Sequence, residues 1–338
     1  KEGLLYAGTE FGMFISFDDG KNWENFQQNL PITPITDIKI HRGDLVLSTM
    51  GRSFWILDNI NSLRYYSNDD KTDLYNVKNT IRYRNRSFYD GTTYYPEPSV
   101  IFDYIVEDEK INQIEFSIFN HDNELINSYS SIVEEKGVNE YEMSTNEFTS
   151  ISSTLISKDL GINRFKWNMR HKGSWDKNIN RSYRNGPLVK PGTYIVFMKI
   201  DDNTFKREFK ILPDPRLTEL TNETYKAQED LLIQIRELLT DMKLLEFDVD
   251  NELNSPIYKN YTYTIDKPKH KSLLEIKNTL STQEGNYMQP MLVDQLRYLQ
   301  SMLSRADQKP GKDAYLRIEE IKNEYNNLKN KYVDLTSR

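Results

Sequence analysis

Apolar and polar side chains alternate along the first sixty-odd residues in short runs, with turn formers between them. The runs are Leu4–Thr9, Met13–Phe17, Trp23–Phe26, Ile35–Ile40, Leu45–Thr49 and Ser53–Leu57. A period of two with Gly, Asp and Pro in the gaps predicts strands, and the spacing suits roughly one and a half four-stranded blades of a β-propeller. Residues 65–98 lose the pattern and read as a polar, Tyr-rich connector ending at Pro96-Glu97-Pro98. Alternation returns in Val100–Val106, Ile111–Asn120 and Glu124–Ser128, with His121-Asp122-Asn123 as a turn. Phe205–Leu212 predicts a final strand, preceded by a hairpin turn at Asp201-Asp202-Asn203. Pro213-Asp214-Pro215 ends the ladder, because prolines have no N–H to donate to it.

Beyond those prolines the period lengthens to about 3.6. Leu231, Leu232, Ile235, Leu238, Leu239, Met242 and Leu245 predict one apolar stripe on a helix over residues 222–246. Shorter stripes mark helices over 269–282 (Leu273, Leu274, Ile276, Leu280), 289–306 and 312–334 (Leu316, Ile318, Ile321, Tyr325). Stripes this wide predict an antiparallel four-helix bundle or a pair of helical hairpins. The expected fold class is therefore multidomain β plus α. Its parts are final propeller blades at 1–64, a connector at 65–98, a β-sandwich at 99–213 and a helical bundle at 214–338.

Within the first segment, Ser16-Phe17-Asp18-Asp19-Gly20-Lys21-Asn22-Trp23 has the form S-x-D-x-G-x-x-W. Ser16 and Asp18 can bond the amides of their own turn, Gly20 supplies a positive φ, and Trp23 is expected to plug the blade core. The motif is the Asp-box of bacterial-neuraminidase-type (BNR) repeats. Leu5-Tyr6-Ala7-Gly8-Thr9-Glu10-Phe11-Gly12-Met13 and Ser48-Thr49-Met50-Gly51-Arg52-Ser53-Phe54-Trp55-Ile56-Leu57-Asp58 resemble the last blades of sortilin-like, BNR-repeat proteins of bacteria, often labelled glycosyl hydrolases. Gly161-Ile162-Asn163-Arg164-Phe165-Lys166-Trp167-Asn168-Met169-Arg170, followed by Pro191-Gly192-Thr193-Tyr194, resembles an Ig-like sandwich of the flagellar-hook-capping type. In such a sandwich Trp167 and Tyr194 would fill the space between the sheets. Met291–Leu299 and Ala306–Gly311 resemble the C-terminal segment of the sortilin-like, BNR-repeat proteins. The resemblance implies that Lys1 opens mid-fold, and that the remaining blades come from a preceding segment or a second chain.

Composition narrows the chemistry. A net charge of −7 over 338 residues argues against nucleic-acid and anionic-membrane partners. The run Arg82-Tyr83-Arg84-Asn85-Arg86 is a local exception and reads as a solvated strand face. The 22 tyrosines suit sheet surfaces and contacts with protein or glycan. With no cysteine there is no disulfide, thiolate metal site or cysteine nucleophile. His41, His121, His171 and His270 are scattered without ligand spacing, so neither a metal nor a cofactor is expected. Asp248-Val249-Asp250-Asn251-Glu252 lacks the glycine and bidentate Glu of a calcium loop and reads as a solvated acidic loop. Tyr258, Tyr261 and Tyr263 read as an interhelical loop. Sequons occur at Asn85, Asn180, Asn222 and Asn260. No apolar run approaches the roughly 18 residues of a transmembrane helix.

Arg52 follows Gly51 at the head of a strand. It is the candidate ligand-binding residue, reading either as an anion- or substrate-binding group or as a tie between neighbouring blades. No pair of facing carboxylates, and no G-x-S-x-G elbow, marks a catalytic centre. Two functional expectations follow. One is a non-catalytic binding or assembly component of the bacterial envelope or secreted fraction, with the propeller as recognition surface and the other modules as spacer and docking unit. The other is a glycoside hydrolase whose catalytic residues lie mainly on blades outside this chain.

Overall fold

The computed structural model describes residues 1–66, 71–84, 98–108, 110–132, 156–175, 186–255, 267–285 and 287–337. It combines antiparallel and mixed sheets with helices, so the chain is β plus α.

The leading residues form two three-stranded antiparallel sheets: β1 (Leu5–Thr9), β2 (Gly12–Ser16) and β3 (Glu24–Asn25), then β4 (Ile35–His41), β5 (Asp44–Thr49) and β6 (Phe54–Leu57). They share a small core of Met13, Leu30, Leu45, Leu47 and Ile60. β1 lies against β4 because Gly8 has no side chain: a Cβ there would stand 2.6 Å from Ile35 Cγ2. Trp23 departs from expectation. It does not plug this core but is 43% exposed. The β2–β3 ladder spans only Phe14↔Asn25 and Ile15↔Glu24, so Trp23 falls outside it and its indole lies beside Gly20. A single turn, α1 (Asn61–Tyr65), follows.

The next strands are β7 (Asp73–Leu74), β8 (Thr80–Ile81), β9 (Val100–Val106), β10 (Ile114–Asn120), β11 (Leu125–Ser130), β12 (Gly161–Trp167), β13 (Gly192–Ile200) and β14 (Asn203–Leu212). They build a three-stranded sheet in the order β12-β9-β7 and a five-stranded sheet in the order β11-β10-β13-β14-β8. One apolar core joins the two sheets. The two-residue period places Val100, Phe102, Phe165 and Trp167 of one sheet in one core with Phe116, Ile118, Tyr194 and Phe209 of the other. Phe116 stacks on Phe102 and Phe165 at 5.6 and 5.3 Å, and Trp167 meets Tyr194 edge-on at 6.0 Å. The turns at Asn123 and Asp201 form as expected, both with positive φ. The stretch expected as a connector is instead partly built into the sheets. Leu74 is fully buried beside β9, and β8 runs parallel to β14 at the sheet edge.

Among the described residues the remaining helices are α2 (Asn222–Leu253), α3 (Lys267–Leu280), α4 (Leu292–Ser304) and α5 (Lys312–Thr336). Thr221 caps α2, its hydroxyl accepting from Thr224 N at 3.3 Å. The stripe expected on α2 is buried with Leu273, Ile276, Leu280, Leu296, Leu303, Ile318, Ile321 and Tyr325 in one core. Leu274 and Leu316 depart from their expected stripes and face outward, 39% and 66% exposed. The run 248–252 is not a loop. It completes α2, with Val249 fully buried and Asp250 paired to Lys277 at 2.6 Å. None of the helices among the described residues is long and apolar enough to cross a membrane.

Candidate functional site

The Asp-box closes the β2–β3 turn on itself. Ser16 Oγ donates to Asp18 Oδ1 at 2.9 Å and accepts from Gly20 N at 2.9 Å. Asp18 accepts from Asn22 N at 2.8 Å and from Asn22 Nδ2 at 2.6 Å. Those bonds hold the Asp18 carboxyl down at about 2, the Asn22 backbone N–H contributing most. Gly20 has φ +82°, in the left-handed region that favours glycine. Every polar atom of the motif that forms these bonds serves the turn itself, which makes it a structural hairpin end.

Arg52 lies on the other leading sheet, in the β5–β6 turn. The turn is built by its backbone: Arg52 N donates to Thr49 Oγ1 at 3.1 Å, and Arg52 O accepts from Trp55 Nε1 at 2.9 Å. Its side chain is exposed, and among the described residues neither an acid nor the Asp-box pairs with its guanidinium. The sequence-level candidates thus occupy two separate hairpins. Tyr258, Tyr261, Tyr263, Asn85, Asn180 and Asn260 lie outside the described residues. Asn222 opens α2.

The strongest polar chemistry sits elsewhere, at three junctions. At the first, Arg164 on β12 grips Asp103 on β9 at 2.7 and 3.0 Å while donating to Asp58 O at 2.6 Å and Asn59 O at 2.7 Å. One guanidinium therefore fastens the end of β6 to the three-stranded sheet of the sandwiching pair. Asn59, at φ +54°, anchors from the other side, its N–H donating to Asp44 Oδ1 at 2.8 Å.

At the second, Arg82 and Arg84 leave β8 on one face and converge on Asp307 in the α4–α5 loop, at 2.9 and 2.7 Å. Arg84 also donates to Ser304 O. Arg82 lies over the Tyr225 ring of α2, 4.8 Å from its centroid. The basic run expected as a solvated face is thus partly interior: the Arg82 side chain is 3% exposed and that of Asp307 1%. Burial draws the Arg82 guanidinium below its usual value, against the opposing pull of Asp307.

At the third, Glu229 on α2 reaches the sheets. It accepts from Lys190 N at 3.1 Å, pairs with Lys190 Nζ at 3.2 Å and contacts His171 Nε2 at 2.8 Å. Burial alone would raise the Glu229 carboxyl, but the His171 bond and charge, helped by Lys190, outweigh it and hold the group below its usual value. The same carboxylate helps keep the buried Tyr194 phenol high, after burial itself.

Sequence reasoning missed all three junctions. Only the i, i+2 spacing of Arg82 and Arg84, which puts both on one strand face, signals any of them. Among the described residues no cluster of three or more His, Cys, Asp or Glu is arranged to hold a metal ion. Comparison of the chain with family models, curated proteins and solved structures finds no match.

Proposed function

We propose that this chain is a non-catalytic binding and assembly component of the bacterial envelope or secreted fraction. In this reading the two leading sheets are the last blades of a sortilin-like β-propeller, the sheet pair is an Ig-like spacer, and the four long helices are a docking bundle. The observation that carries the reading is where the apolar surface lies. Phe11, Ile32, Met50, Phe54 and Ile56 on the leading sheets are 72%, 78%, 67%, 77% and 61% exposed. Phe54 and Ile56 share one face of β6, the face turned away from the inner pair Trp55 and Leu57. Exposed apolar groups on one face of an edge strand, as Phe54 and Ile56 are on β6, mark a surface that other protein covers. The remaining blades are the proposed occupant.

The buried ionisable groups support a scaffold rather than a reaction centre. Arg82, Asp103, His171 and Glu229 are all engaged where one unit meets the next. The test is a Phe54→Ser/Ile56→Ser variant of the intact protein. Loss of association in sedimentation, with unchanged circular dichroism, supports the reading. Turnover of any member of a glycan panel by the intact protein refutes it, and loss of that turnover in Arg52→Ala would favour the hydrolase reading instead.

A further inference from the structure

A cavity of about 350 Å³ opens between the C-terminal half of α2, the end of α3 and the first turns of α4. Trp175 and Phe247 supply its aromatic wall. The backbone N–H of Trp175 donates to Thr240 Oγ1 at 3.0 Å, and its indole meets Phe247 edge-on at 5.7 Å. An indole packed against a neighbouring ring offers a flat apolar surface on which a ligand can stack.

Apart from Val293 the rest of the lining is polar, and two of its carboxylates already hold cations. Asp250 takes Lys277 Nζ at 2.6 Å, Asp294 pairs with Arg297 at 3.6 Å, and Glu246 accepts from Ser281 Oγ. A charged ligand would compete with these two pairs, whereas a neutral one leaves them in place. A ligand with many hydroxyls would donate to the remaining lone pairs of the lining carboxylates. The volume is at the small end of ligand cavities, about 300–1,000 Å³, which suits one sugar unit or a chain end rather than a long polymer.

We infer that this cavity is a binding site for a neutral saccharide, its ring lying on Trp175 and its hydroxyls shared among Glu246, Asp294 and Thr282. The site lies where the segment after β12 meets the helices, and it does not depend on how the leading sheets are covered. Saturation-transfer NMR on the full chain tests it, with N-acetylglucosamine, galactose, chitobiose and lactose as probes and alanine and inorganic phosphate as opposing arms. The expected result is transfer to at least one neutral sugar, weakened about tenfold by Trp175→Ala and by Asp294→Asn, partly retained in Trp175→Phe, and unchanged in Lys39→Ala. A stronger disaccharide response identifies a glycan end as the ligand; a stronger monosaccharide response identifies free sugar. No transfer to any neutral sugar, transfer that survives Trp175→Ala in a folded variant, or a response to alanine or phosphate alone overturns the inference.

Discussion

Asp307→Ala tests whether the helices are held to the sheets by a buried charge latch. The carboxylate accepts from Arg82 Nη2 at 2.9 Å and Arg84 Nε at 2.7 Å, and its side chain is 1% exposed. Truncation removes two charge-assisted hydrogen bonds, each about 1.5–3 kcal/mol. It also leaves Arg82, 3% exposed, without its counter-ion. These losses overlap, and breaking a buried pair from one side typically costs about 3–5 kcal/mol in total. At about 1.4 kcal/mol per decade, the docking equilibrium moves by two to more than three decades. Urea unfolding followed by far-UV circular dichroism, which is dominated by the helices, and by tryptophan fluorescence, which includes the sheet-core Trp167, should then give two separate transitions. Replacing the set with apolar groups (Arg82→Met/Arg84→Met/Asp307→Leu) should recover most of the loss, to within about 1 kcal/mol. A single coincident transition in Asp307→Ala, shifted by less than about 1 kcal/mol, would refute the latch.

Arg164→Ala should free the leading sheets from the sheet pair at a cost of about 2–4 kcal/mol, read as faster proteolysis near residues 58–66 with the helical signal intact. Glu229 has a depressed folded-state pKa, so its stabilisation is complete above its ordinary value of 4.5 and is lost as pH falls through the lower folded value. Glu229→Gln should therefore lower the urea midpoint at pH 7 and flatten its decline below pH 4.5; an unchanged acid limb counts against the junction. Trp167→Ala, at a fully buried ring, should destabilise the sheet pair by about 3–5 kcal/mol. Trp23→Ala should change stability by less than about 1 kcal/mol, and an equal loss at both sites would restore the core-plug expectation. Asp18→Ala should speed amide exchange at Gly20 and Asn22 by about tenfold or more; unchanged exchange would mean that the turn does not need its carboxylate.

Local signals in the sequence accounted for much of the architecture. A period of two, Asp and Asn at turns and two prolines before α2 mark strands and their ends, because strand geometry and turn chemistry act over a few residues. The seven-residue stripe of α2 was legible for the same reason, whereas the placing of Trp167 and Tyr194 between the sheets rested on the resemblance to an Ig-like sandwich. Trp23 was misjudged because motif spacing says where an indole begins, whereas burial depends on how far the β2–β3 ladder extends. Leu274 and Leu316 were misassigned because a helix of any apolar content presents to its neighbours only the face that topology selects.

The junctions belong to tertiary structure alone. Arg82 and Asp307 are separated by 225 positions, Arg164 and Asp58 by 106, and His171 and Glu229 by 58. A charged residue in a polar stretch reads as solvated until the fold closes over it and brings its partner within hydrogen-bond reach. The sequence by itself determined the repeating units of this chain, since periodicity is written residue by residue. Which charges became buried ties between those units, and which apolar side chains stayed uncovered on the leading sheets, depended on distances that exist only after folding.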